Sequence, residues 1–198
     1  MKLGIVTYNI GKDWDLDTLI ANCEETGFDG VELRTTHAHG VEVELSAAER
    51  AAVHKRFDES KVEIVGLGSA FEYDAIDPEE LKQHIEGTKE YIRLAHDLGV
   101  SGIKVRPNKI HVDEGVEIET TLEQIGVSLA ECGEFARDLG VQIRLELHGR
   151  TTSDPVNIRK IMDYADHDNV FVCWNSNPQD VNNGSIDANF ALLQEKIR

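Results

Sequence analysis

Apolar positions along the chain switch between two periods, and the switching predicts a strand-then-helix order that repeats. Short β-rich runs recur at Leu3–Tyr8, Gly30–Arg34, Val62–Leu67, Gly102–Arg106, Gln142–His148 and Val170–Trp174. Between most of them the apolar spacing lengthens to that of a helix. Leu16, Leu19, Ile20 and Cys23 form one such face, with Gly27 as the stop. Asp77-Pro78-Glu79-Glu80 predicts a helix start, with an aspartate cap, a proline in the first turn and a glutamate placed for a capping box. Leu81, Ile85, Thr88, Ile92, Ala95 and Leu98 continue that helix to Gly99. Leu122, Ile125, Leu129, Cys132, Ala136 and Leu139 form the next face, ended by Gly140. Asp154-Pro155 opens another through Ile158, Ile161, Met162 and Ala165, and Asp187–Arg198 reads as a sixth helix.

The units resemble one another. Gly27-Phe28-Asp29-Gly30-Val31-Glu32-Leu33-Arg34 and Gly99-Val100-Ser101-Gly102-Ile103-Lys104-Val105-Arg106 share glycines and alternation at the same offsets, and Gly140–His148 is a looser third copy. Strands alternating with helices of this length imply a parallel sheet of right-handed βαβ units. Six units fit in 198 residues, and a complete eight-unit barrel takes about 250 residues. The expected fold class is therefore α/β, a (β/α)₈ TIM barrel of which residues 1–198 supply about six units, as a single domain incomplete at its C-terminus. Unpaired edges on the first and sixth strands would then favour self-association into a homo-oligomer. A doubly wound open sheet has less support, since no G-x-G-x-x-G loop follows the first strand.

Alternate residues of a barrel strand face its interior, and those near the C-terminal end reach the active-site mouth. On the fifth strand Ile143, Leu145 and Leu147 share one face, and Arg144, Glu146 and His148 the other. Three polar groups on one face of a buried strand are costly unless that face lines a polar cavity or forms an internal salt bridge among Arg144, Glu146 and Lys104. The fourth strand puts Lys104, Arg106 and, beyond it, Asn108 on the same phase, and the second puts Glu32 and Arg34 there. Asn175 follows the sixth strand in phase. His37 and His39 sit just after the second strand, where a His-x-His pair is more often a polar loop than a zinc motif. The remaining histidines, His54, His84, His96, His111 and His167, have no ligand spacing and read as surface.

Composition narrows the partners. Twenty basic against 37 acidic residues leave a formal charge of −17, a field that repels nucleic acid and anionic lipid. No run is apolar enough to span a membrane. Three cysteines, odd in number and widely spaced, with Cys23 and Cys132 in apolar helix phase, suggest a reducing, cytoplasmic setting. No Walker A, H-E-x-x-H, G-x-S-x-G or C-x-x-C motif occurs.

Taken together, Lys2–Tyr8, Gly27–Arg34, Gly102–Arg106, Arg144–His148 and Val170–Asn175 resemble the xylose isomerase-like barrels, a superfamily that includes sugar phosphate isomerases and epimerases, inosose dehydratases, hydroxypyruvate isomerases and endonuclease IV-type repair enzymes. The resemblance implies metal-assisted proton transfer α to a carbonyl of a small sugar or sugar phosphate. It also implies a divalent metal (Mn, Mg, Co or Zn) held by carboxylates ending strands five and six, a strand-seven histidine and a strand-eight glutamate. The strand-five ligand falls on Glu146, which also becomes the candidate catalytic base. The strand-six aspartate falls on Asn175, and a substrate-binding histidine three residues later falls on Pro178. An amide lacks the charge that makes carboxylate sites tight, so the metal is expected to be weakly held or absent. Lys104, Arg106, Asn108, His148, Glu32 and His37 are the expected substrate-binding residues. A non-catalytic sugar-binding relative is the alternative function, and an endonuclease IV-like nuclease is disfavoured by charge.

Overall fold

A computed structural model describes residues 2–198. Its elements alternate as anticipated: β1 (Gly4–Val6), α1 (Leu16–Thr26), β2 (Gly30–Arg34), α2 (Ala47–Asp58), β3 (Glu63–Glu72), α3 (Pro78–Asp97), β4 (Gly102–Arg106), α4 (Ile118–Arg137), β5 (Gln142–Glu146), α5 (Pro155–Ala165), β6 (Val170–Cys173) and α6 (Asp187–Leu193). The six strands form one sheet in chain order, with parallel pairing at β1–β2, β2–β3 and β5–β6. A doubly wound sheet would reverse its strand order at a switch point; this one does not.

The residues group into two compact units. The first runs to Ser69 and adds Glu90–Ile103 and Leu139–Val141. In it Asp15 caps α1 by accepting from the Thr18 amide at 2.8 Å. Helix α2 is not among those the apolar period identifies, because it buries only Val53 and Phe57. Its start is fixed instead by a reciprocal capping box between Ser46 and Glu49. Strand β3 runs five residues past the expected end at Leu67, since Gly66 and Gly68 continue the strand instead of breaking it. Gly68 leaves room for a neighbouring side chain: a Cβ there would lie 2.7 Å from the Glu32 carboxylate, which would have to move aside.

The second unit comprises Ala70–Lys89, Lys104–Asp138 and Gln142–Arg198. Asp77 Oδ1 accepts from the Glu79 amide at the start of α3, and Asp154 caps α5 with Pro155 in its first turn. Helix α4 packs on α5 and on β5. The core uses the strand phase read from the sequence: Val105, Ile143, Leu145, Leu147, Val170 and Val172 are all fully buried. Cys132 is buried among them, and desolvation pushes its thiol up to about 12. The end of the chain departs from expectation. Helix α6 stops at Leu193, and Val172 donates to Lys196 O at 2.8 Å while Arg198 donates back to Val172 O at 3.0 Å. Ile197 thus lies parallel to β6. A free strand edge offers backbone donors and acceptors that want partners, and the residues flanking Ile197 supply them as an isolated bridge just past a turn rather than as the last turn of a helix. Among the described residues no helix is long and apolar enough to cross a membrane.

Candidate functional site

Packing of one face decides where the other points. With Val105, Ile143, Leu145 and Val172 turned into the core, Lys104, Glu146 and Asn175 share the opposite phase of β4, β5 and the residues after β6, and they meet. Lys104 Nζ lies 3.3 Å from Glu146 Oε1, with the two side chains 13% and 14% exposed. Asn175 Nδ2 donates to the same oxygen at 2.9 Å. Neither contact reaches Oε2, and no other bond to it forms among the described residues. The Asn175 amide is itself oriented. Asn177 Nδ2 faces the Leu147 carbonyl at 3.0 Å, an atom that can only accept, and the same Nδ2 donates to Asn175 Oδ1 at 2.8 Å. The Asn175 nitrogen must therefore face Glu146. The segment carrying Asn177 is tied down by buried Asp180, whose Oδ2 accepts from Trp174 Nε1 and the Asn177 amide. Arg144, on the same phase, turns instead toward Gln142 Oε1 at 3.0 Å.

A second carboxylate sits nearby in the same unit. Glu72, past the expected end of β3, is gripped at both oxygens: Arg106 reaches Oε1 at 2.7 Å and Asn108 Nδ2 donates to Oε2 at 2.7 Å. Its backbone amide donates to His84 Nδ1 at 2.9 Å. Asn108 adopts a left-handed conformation, φ 59, and its carbonyl is pressed by Gly149 (φ 93), where a Cβ would fall only 1.6 Å from that oxygen. Thr152 Oγ1 lies 2.7 Å from both the Asn108 and His148 carbonyls. The His148 side chain is different: its Nδ1 is buried and has no hydrogen-bond partner among the described residues, a condition that a ligand can relieve.

His111 is not a surface residue, contrary to the expectation from spacing. It is 6% exposed, with Nε2 3.0 Å from Asp74 and Nδ1 3.4 Å from Glu114. A short turn at Val112–Glu114 folds the segment after β4 back on itself, and no local periodicity announces that. His84 is likewise half-buried and engaged. Glu72, Asp74, His84, Asn108, His111 and Glu114 help line a cavity of about 600 Å³.

Glu32 and His37 lie in the first unit. Glu32 is half-buried against Gly68. His37 Nδ1 is 2.8 Å from Thr7 Oγ1 and its ring stacks on Tyr8; burial and then the Arg34 charge lower its pKa. His39 is buried, with Nδ1 accepting from the Val41 amide and Nε2 donating to Arg34 O. Both His39 nitrogens are thereby consumed by the loop.

The residues present do not fit a divalent cation. Asn175 offers Glu146 a donor, whereas a metal between them would need the amide oxygen. The Lys104 ammonium already occupies the space beside Oε1. At an effective dielectric of about 20, a dication about 4 Å from an ammonium is repelled by roughly 8 kcal/mol. No group of three His, Cys, Asp or Glu side chains able to hold a metal forms among the described residues.

A sequence model described as "Xylose isomerase-like TIM barrel" matches residues 20–177. No curated protein matches the chain in sequence. Among solved structures, D-psicose 3-epimerase from Clostridium cellulolyticum H10, crystallised with D-tagatose, superposes with TM-score 0.81 at 17% identity over 100% of this chain and 71% of its own. The 3-keto-D-glucoside 4-epimerase YcjR from E. coli gives 0.80 at 12% identity, covering 100% of this chain and 76% of that one. An IolI protein with a bound zinc atom gives 0.71 at 20% identity, over 87% of this chain. The chain spans 62% of the length of IolI.

Proposed function

Since the chain belongs to the xylose isomerase-like TIM-barrel family, we propose that it acts on a small sugar as an isomerase or epimerase, moving a proton on the carbon next to a carbonyl. One observation carries this reading: the Glu146 carboxylate is aimed through Oε1 alone, by Lys104 and Asn175, and Oε2 is left to take a proton. A general base needs that combination of fixed direction and an available lone pair. Glu146 takes the proton; His148, with its unpartnered Nδ1, hydrogen-bonds a sugar hydroxyl; Asn175 holds the carboxylate in place. Arg106 is committed to Glu72 and Lys104 already contacts Glu146, which favours a neutral sugar over a phosphorylated one.

The test is proton exchange. Ketoses and aldoses incubated with the protein in D₂O should lose the signal of the hydrogen beside the carbonyl by NMR, and Glu146→Gln should slow the loss about 10²–10⁴-fold. A second reading, a sugar-binding relative without catalysis, is favoured by the asparagine standing where the family carries an aspartate. Calorimetric sugar binding with no exchange for any sugar would establish it and end the first reading.

A further inference from the structure

We propose that Asn177 is the positioning residue of this site: it fixes which end of the Asn175 amide meets Glu146, and so keeps the carboxylate aimed. The chemistry rests on the sugar-acting reading above; the orientation rests on the hydrogen bonds alone.

An asparagine side chain has nearly the same shape either way round, but one end donates and the other only accepts. Position 175 is therefore ambivalent by itself. With its nitrogen toward Glu146, Asn175 holds Oε1 by a bond of 2.9 Å. With its oxygen there, two acceptors would face each other across the same gap and push the carboxylate off its line. Asn177 makes the choice. Its Nδ2 carries two hydrogens and meets two close acceptors, Leu147 O at 3.0 Å and Asn175 Oδ1 at 2.8 Å, with the Asn175 carbonyl a weaker third at 3.3 Å. Leu147 directly follows Glu146, so the amide that orients Asn175 is anchored on the backbone that carries the carboxylate.

The hold on Asn177 is built into the fold. Asp180, 4% exposed, accepts through Oδ2 from the Asn177 amide at 2.8 Å and from Trp174 Nε1 at 3.0 Å. Its own amide donates back to Asn177 O at 3.0 Å, and Asn189 Nδ2 donates to its carbonyl at 3.0 Å. Turnover shows why a fixed amide matters. Glu146 is an anion before it takes the proton and a neutral acid afterwards, so its own charge orients Asn175 for only part of the cycle. Asn177 does not titrate and holds Asn175 throughout. With a donor kept on Oε1, the proton from carbon goes to Oε2 and returns from it. The C–H electron pair becomes a C=C bond and the carbonyl π pair moves onto the substrate oxygen. Return of the proton, or of a deuteron after exchange with solvent, restores the carbonyl and the Glu146 carboxylate, and nothing is oxidised or reduced.

Two measurements test this, and the first does not depend on turnover. In ¹⁵N-labelled protein the Asn175 side-chain amide, assigned by its loss in Asn175→Ala, should give a pair of NMR resonances that shifts on Glu146→Gln. In Asn177→Asp, which offers acceptors only, the amide turns, and the pair should no longer respond to Glu146→Gln. An unshifted pair in the otherwise wild-type protein would overturn the proposal. So would a response of full size in a folded Asn177→Asp variant, verified by circular dichroism, since Glu146 would then orient the amide unaided. The second measurement is α-proton exchange in D₂O. Asn177→Asp should lower kcat about 10²-fold with KM nearly unchanged, and in an Asn175→Ala background it should lower kcat no further. Additive losses would refute action through Asn175. Asn177→Leu, which donates nothing and adds no charge, serves if the aspartate variant does not fold: the shift response should shrink, and kcat should fall only while Asn175 is present. Absence of exchange in every sample would strike the sugar-acting reading, while the amide resonances would still decide what orients Asn175.

Discussion

Two glutamates of the second unit have the same kind of company and opposite freedom. Glu72 and Glu146 each meet one cation and one asparagine amide. Around Glu72 the arginine and the asparagine take different oxygens, both at 2.7 Å. Around Glu146 the lysine and the asparagine converge on a single oxygen. The first carboxylate has its strong acceptor positions answered by protein and serves to join β3 to the last residue of β4 and to Asn108 beyond it. The second is aimed but half-answered. Composition alone would call the two sites alike; which oxygen each donor reaches separates a fastener from a reactive group.

The sharpest way to break the contrast is to remove the charge from each in turn. Glu146→Gln should reduce α-proton exchange about 10²–10⁴-fold, and it should lower stability by only about 1–2 kcal/mol through the lost contact with Lys104. A fully active folded variant would place the base elsewhere. Next in size is Gly149→Ala, whose methyl meets the Asn108 carbonyl at a positive φ. It should destabilise by about 2–4 kcal/mol, read from urea unfolding, and should loosen Asn108 from Glu72. Glu72→Gln leaves Arg106 without its anion at a partly exposed site, for about 1–2 kcal/mol. Its effect on exchange should be small, and a loss of exchange as large as that of Glu146→Gln would erase the distinction. Thr152→Val removes one hydroxyl from the carbonyls of Asn108 and His148, an expected cost of about 1 kcal/mol in the same unfolding experiment.

Much of the fold is legible in the chain because burial on one side writes a period into it. Val31 and Leu33, Ile103 and Val105, and Ile143, Leu145 and Leu147 are all fully buried, and their alternation with polar residues is what identifies both the strands and their inward faces. The helices with broad apolar stripes are equally plain. Helix α2 escapes that test because two buried residues make no stripe, and only the Ser46–Glu49 pair marks its start. Strand β3 is misjudged at its end because Gly66 and Gly68, the second of them beside the Glu32 carboxylate, look like punctuation.

The site divides along the same line. Lys104, Glu146, His148 and Asn175 follow from strand phase. Glu72 is hidden because it lies beyond the strand end that Gly66 and Gly68 suggest, and its partners are 34 and 36 residues away at Arg106 and Asn108. Asp74 and His111 meet across a similar separation, through a turn whose shape depends on backbone dihedrals that no residue type announces. Pairings of that range belong to tertiary structure, and neither period nor propensity encodes them locally.

The contact of Gly149 with the Asn108 carbonyl bears on how a ligand would be received. Where two loop backbones touch with no side chain between them, and Thr152 adds a hydroxyl to the same carbonyl, neither loop has much configurational freedom left to surrender. Ordering a segment on binding commonly takes back part of the interaction free energy. Here that entropy has already been lost in folding, so recognition at this end of β4 and β5 resembles a key entering a rigid lock more than a lid closing over its guest.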